Sequence, residues 1–196
     1  MGVANQLTLV RLILSPVFVL VFIMGGTAGH VLAFVIAILI EVTDVLDGYI
    51  ARSWGETSDF GKLVDPMADS VSRFSVFLCF LWGGYAHLWM IAIIFYRDFI
   101  VAYIRIAAAK TGFVMAARIS GKLKAITQGI VILAILLLIM LTPAHDMEMH
   151  EATQRTAQWL MGLVIFVTLW SGADYFRTSL PLIRSLMRPT SEASGE

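Results

Sequence analysis

The sequence predicts an all-α integral membrane protein with six transmembrane helices, and three observations carry that expectation. First, 59% of the 196 residues are apolar and only 14% are charged. Soluble domains hold about 45–50% apolar and about 25% charged residues; the mean hydropathy here is +0.83. Second, the apolar residues gather in six runs, near 9–24, 31–50, 67–86, 88–109, 124–142 and 158–178. A helix needs about 20 residues at about 1.5 Å rise to cross roughly 30 Å of hydrocarbon. Third, Lys and Arg fall on alternate connections between the runs, as they do in multi-pass membrane proteins.

The same figures exclude an ordinary soluble domain and a disordered, solvating acidic segment. Lys plus Arg and Asp plus Glu both number 14, so no global basic field invites nucleic acid. The single cysteine, Cys79, lies in an apolar run, so there is no disulfide framework.

The first run is short and contains Pro16, so residues 5–15 are expected to form an N-terminal interfacial segment that then turns into the membrane. A cleaved signal peptide is the competing reading. It is disfavoured because Arg11 is the only positive charge before the apolar run and Asn5, Gln6 and Thr8 read as part of the structure. The second run closes on Asp44 and Asp47, and the third opens behind Asp65 and Asp69. The fourth contains Arg97, Asp98 and Arg105, and Trp82 and Trp89 flank the boundary between the third and fourth as belt residues do. The fifth follows the basic residues Arg118, Lys122 and Lys124. After the sixth, 180–188 alternates Leu, Ile and Met with Arg184 and Arg188, the pattern of a short helix lying on a membrane face. Residues 1–188 are expected to form one domain, followed by a small, polar, disordered tail at 189–196.

Positive charge sets the orientation. Arg11, Arg52, Lys62, Lys110, Arg118, Lys122, Lys124, Arg184 and Arg188 all fall on one side. The opposite connections at 25–30 and 83–87 carry no Lys or Arg, and 142–156 holds only Arg155 among Asp146, Glu148 and Glu151. Both termini are therefore expected to be cytoplasmic.

Carboxylates cost about 2.5–3.5 kcal/mol each inside a bilayer on insertion scales, so their placement is informative. Asp44 and Asp47 are spaced i, i+3, and Asp65 and Asp69 are spaced i, i+4, so each pair occupies one helix face. The short connection 48–64 makes the two helices antiparallel neighbours, and the four acids converge near headgroup depth. Four ionised carboxylates together repel unless a cation lies between them. All-oxygen ligands select hard divalent ions, here Mg²⁺ or Mn²⁺. Gly48 and Gly61 allow close approach of phosphate, and Arg52 offers a planar fork for phosphate oxygens. Divalent ions beside an arginine are the apparatus of phosphoryl transfer.

Residues 44–52 and 61–69, joined by eight residues, read DxxDGxxAR-x8-GxxxDxxxD. This pattern resembles the signature of the CDP-alcohol phosphatidyltransferases at all its fixed positions. The resemblance implies a six-helix membrane enzyme, usually a homodimer, whose site opens to the cytosol. It further implies transfer of a phosphatidyl group from a CDP-linked lipid to an alcohol, with release of CMP. By the same resemblance Asp44, Asp47 and Asp65 hold metal. Asp69 contributes to the second ion and acts as general base, and Gly48, Arg52, Gly61 and, more weakly, Ser58 hold the CDP moiety.

Outside the signature, Asn5-Gln-Leu-Thr8-Leu-Val-Arg11, Arg97-Asp98, Arg105, Gly112-Phe-Val, Gly121-Lys122-Leu-Lys124 and Ser171-Gly172-Ala-Asp-Tyr175 resemble the branch of the family whose acceptor is glycerol 3-phosphate. The chain departs from the family's habit at Ser70, usually Lys, and at Asp98, usually Glu. The resemblance thus implies CDP-diacylglycerol and sn-glycerol 3-phosphate as substrates in an inner membrane, among membrane lipids. A phosphorylated acceptor needs cations, and Arg105, Arg118, Lys122 and Lys124 cluster on the same face as the aspartates. The competing account of those cations is contact with anionic lipid. Arg97 is expected to pair with Asp98 or a carbonyl.

His145 and His150 with their acidic neighbours are read as solvated loop rather than metal site, and His30 and His87 as loop residues too. Other acceptors remain open: phosphatidylglycerol, as in a cardiolipin synthase, inositol phosphate or serine. A divalent-cation transporter is the rival from another class. It is disfavoured because the aspartates lie towards one face and no internal repeat is seen.

Overall fold

A computed structural model of the chain describes residues 3–54, 59–110, 118–143 and 145–186, with side chains at 6–46, 67–106, 108, 118–143 and 145–180. The described residues form six helices. They are α1 (Val3–Met24), α2 (Gly26–Trp54), α3 (Asp59–Trp82), α4 (Leu88–Lys110), α5 (Ile119–Leu141) and α6 (Met147–Leu186). Each helix packs chiefly on two others, in the closed order α1, α2, α5, α6, α4, α3 and back to α1.

Among the described residues, four segments are long and apolar enough to cross a membrane: Gln6–Met24, Gly26–Leu46, Ile119–Leu141 and Met147–Leu180. Helices α3 and α4 have the length, at 24 and 23 residues, but contain the charges Asp69, Arg73, Arg97, Asp98 and Arg105. The outer surface is apolar, with Ile13 and Leu20 each 65% exposed, Phe166 72% and Trp159 82%. Patches of that size are not left facing water in soluble monomers. The protein is a multi-pass membrane protein.

Four boundaries differ from expectation. Helix α1 runs unbroken through Pro16, so no separate interfacial segment precedes it. Ser15 Oγ lies 2.8 Å from both the Arg11 carbonyl and Ser72 Oγ of α3, which ties the helix to its neighbour beside the proline. Helix α6 starts at Met147, inside the stretch expected to be loop, so His150 is helical. Hydropathy cannot see this start, because the first turns of α6 are polar. They are helical through local bonds, Asp146 Oδ1 accepting from the Met149 N–H at 2.9 Å and Glu151 pairing with Arg155 at 3.5 Å. The same helix continues to Leu186, so 180–186 extends α6 rather than forming a separate surface helix. His30 likewise belongs to α2.

Tight glycine turns join the helices on one side. Gly25 and Gly26 take φ of 65° and 69°, a region that residues with a Cβ avoid, and reverse the chain between α1 and α2. On the same side Gln154 and Gln158 of α6 donate to the carbonyls of Gly83 and Gly84 at 3.0 and 3.1 Å, clasping the α3–α4 turn. Between these turns and the charged end lies an apolar core, with Phe18, Phe77, Phe80, Ile135 and Met161 fully buried. Because successive helices reverse direction, the charges of α1 (Arg11), α2 (Asp44), α3 (Asp69, Arg73), α4 (Asp98), α5 (Lys124) and α6 (Asp174) gather at one end.

Candidate active site

Two polar clusters occupy the charged end. The first lies among α1, α2, α3 and α5. Asp44 Oδ1 accepts a hydrogen bond from Arg11 Nη1 at 2.6 Å, and Arg11 is buried. Arg73, one turn after Asp69 on α3, donates from Nε to Asp69 Oδ1 at 2.7 Å. Its Nη2 lies 3.6 Å from Glu41 Oε2 and 3.7 Å from Asp44 Oδ2, and its Nη1 donates to the Ala125 carbonyl of α5 at 2.7 Å. A single guanidinium therefore draws Asp44 of α2 and Asp69 of α3 to one point.

The other expected residues of this cluster fall partly outside the described residues. Asp47, Gly48 and Arg52 lie in α2, and Gly61 and Asp65 lie in α3, but their side chains are outside the described set. Ser58 is outside it altogether. Among the described residues, no three His, Cys, Asp or Glu side chains come close enough to hold a metal ion. The donor chemistry nonetheless fits a hard cation. Among the described residues, Glu41, Asp44 and Asp69 meet two guanidiniums, an excess of one carboxylate, and Asp69 uses only Oδ1 in its pair with Arg73.

The second cluster lies among α4, α5 and α6 and holds the expected acceptor-site cations. Lys124 is buried, its Nζ 2.5 and 2.6 Å from the two oxygens of Asp98. Arg97 Nη1 bonds the same carboxylate at 3.0 Å, the pairing expected from the sequence, and its Nη2 bonds Ser171 at 2.6 Å. Arg105 Nε donates to the Tyr175 hydroxyl at 3.0 Å, with its guanidinium carbon 5.2 Å from the ring centroid. Arg118 Nη1 donates to the Asp174 carbonyl at 2.9 Å and also reaches Thr178. Lys122 is exposed on α5. The two clusters touch through α5, where Lys124 and Ala125 are adjacent residues.

Sequence reasoning missed Glu41 and Arg73, and did not see Tyr175 as a partner of Arg105. Glu41 precedes Asp44 by three residues and Arg73 follows Asp69 by four, so the helical-face rule applied to the aspartates would have found both.

A family profile for CDP-alcohol phosphatidyltransferase matches residues 1–170. The chain is 29% identical over 184 residues to the CDP-diacylglycerol–glycerol-3-phosphate 3-phosphatidyltransferase of Bacillus subtilis strain 168, across 88% of this chain and 92% of that protein. It is 32% identical over 182 residues to a probable phosphatidylglycerophosphate synthase of Mycobacterium tuberculosis H37Rv, across 91% of this chain and 82% of that protein. A shorter stretch of 121 residues is 35% identical to a probable cardiolipin synthase (CMP-forming) of Drosophila melanogaster, across 57% of this chain and 36% of that protein. With that profile covering most of a helical membrane bundle, the chain belongs to the CDP-alcohol phosphatidyltransferase family.

Proposed function

We propose that the protein transfers a phosphatidyl group from CDP-diacylglycerol to sn-glycerol 3-phosphate, giving phosphatidylglycerophosphate and CMP. One observation carries this reading: Asp44 and Asp69 converge on one guanidinium, in a chain whose full-length relatives are named for that acceptor.

In this proposal Asp44, Asp47, Asp65 and Asp69 hold two divalent ions, Mg²⁺ or Mn²⁺. Bound there, such ions stabilise charge on the phosphoryl oxygens and the leaving group. Asp69 takes the proton from the acceptor's primary hydroxyl. The oxygen forms a bond to the phosphorus that carries the diacylglycerol, and the bond from that phosphorus to the CMP oxygen breaks. Gly48, Arg52, Ser58 and Gly61 hold the CDP moiety. Arg105, Arg118, Lys122 and Lys124 receive the acceptor's phosphate; their gathering at the aspartates' end of the bundle supports this. Buried Lys124 exchanges part of its contact with Asp98 for phosphate, whereas exposed Arg105 and Lys122 meet it directly.

The wider arrangement follows from the same reading. All six helices span the membrane, with Arg73 of α3 and Arg97 of α4 held among the helices. Both termini face the cytosol, as the positive residues require. Residues 1–188 form one domain, the chain works as a homodimer, and the site opens to the cytosol from the inner membrane; the tail expected at 189–196 lies outside the described residues. That depth leaves the donor's acyl chains in lipid and its cytidine in water.

The likeness to a probable cardiolipin synthase favours phosphatidylglycerol as the second candidate acceptor. Purified protein supplied with CDP-diacylglycerol and, separately, glycerol 3-phosphate, phosphatidylglycerol, inositol phosphate or serine decides between them. CMP release is expected with glycerol 3-phosphate; release with another alcohol alone would replace the acceptor.

A further inference from the structure

Arg73 is 9% exposed and lies among three carboxylates at the bundle's charged end. All three guanidinium nitrogens are engaged in different directions. Nε is fixed to Asp69, Nη1 to a backbone carbonyl of α5, and Nη2 lies between Glu41 and Asp44. A planar fork held at a main-chain atom cannot swing, so the Asp69 oxygen it bonds is fixed relative to α5. Glu41 supports this from the other side, as an acid midway along α2 beside an apolar stretch. Room for its carboxylate is left by Gly129 of α5, where a Cβ would lie 2.8 Å from Glu41 Oε2. A glycine in the middle of a helix is unfavourable on its own account, so the space serves its neighbour.

We infer that Arg73 is a positioning residue for the reaction. It holds the Asp69 carboxylate in one orientation against α5, and Glu41 is the counter-charge that keeps Arg73 from neutralising the aspartates. The inference rests on the proposed role of Asp69. Without Arg73 the aspartates keep their negative charge but lose their orientation. Without Glu41 the arginine's charge falls wholly on Asp44 and Asp69, and a divalent cation meets a less negative cluster. The two residues therefore have opposite signatures, which a merely structural ion pair would not produce.

The test uses Arg73→Gln, Arg73→Lys and Glu41→Gln in the full chain, with two readouts. One is kcat and KM for CMP release; the other is Mn²⁺ binding by electron paramagnetic resonance without substrates. Residues that orient metal ligands or catalytic groups typically matter by about 10–100-fold, so kcat of Arg73→Gln should fall by that factor with KM for CDP-diacylglycerol little changed. Its Mn²⁺ affinity should be undiminished, while Glu41→Gln should bind Mn²⁺ about 10-fold more weakly. Arg73→Lys keeps the charge without the fork and should lose about 10-fold in kcat. If Arg73→Gln fails to fold, Arg73→Lys decides. Wild-type kcat in Arg73→Lys, or Mn²⁺ binding weakened as much in Arg73→Gln as in Glu41→Gln, overturns the inference. A wild-type protein that prefers another alcohol overturns the proposed acceptor instead, since the variants are then compared on that alcohol.

Discussion

Arg11 of α1 and Asp44 of α2 form a 2.6 Å ion pair in which the arginine is 1% exposed and the aspartate one-third exposed. The pair ties the N-terminal helix to the first acid of the family pattern. Among the described residues, replacing Arg11 with Gln leaves Asp44 balanced by Arg73 at 3.7 Å. Exposed pairs are worth up to about 1 kcal/mol and breaking a buried one costs about 3–5, so a loss of roughly 2–4 kcal/mol is expected. Unfolding in mixed micelles measures it; unchanged stability would show the pair to be incidental.

Asp69→Asn keeps the size of the side chain and its ability to accept a hydrogen bond from Arg73, but cannot accept a proton. CMP release should fall by at least about 100-fold, the scale of general-base catalysis, while CDP-lipid binding persists. Retained turnover would remove Asp69 as the base.

Tyr175 is fully buried and gives Arg105 both a hydroxyl acceptor and a ring face. Tyr175→Phe removes only the hydroxyl. If Arg105 receives the acceptor's phosphate, KM for glycerol 3-phosphate should rise about 5-fold, the equivalent of about 1 kcal/mol, with kcat nearly unchanged. An unaltered KM would separate Arg105 from the acceptor.

Chelation should abolish CMP release, and Mg²⁺ or Mn²⁺ should restore it. Zinc should be a poor substitute, because the described donors in the cluster are carboxylate oxygens without thiol or imidazole. Full activity in chelator would contradict the assignment of the aspartates to metal.

Much of this was legible in the sequence because hydropathy and helical spacing act locally. Six apolar runs gave six helices, and Asp44 of α2 and Asp69 of α3, the acids of the two pairs whose side chains are described, both lie beside Arg73. What escaped was decided by partners far apart in the chain. That Lys124 is locked to Asp98, or that Gly129 makes space for Glu41, depends on how α5 packs on α4 and α2. The start of α6 escaped for the opposite reason, since it is helical through local polar bonds that an apolarity scale does not register.

The most direct measurement follows labelled glycerol 3-phosphate into lipid, with purified protein, CDP-diacylglycerol and a divalent cation. The account predicts label in a phosphatidylglycerophosphate product, one for each CMP released, and neither product from Asp69→Asn. CMP release without lipid labelling, or labelling that survives the loss of Asp69, would contradict it.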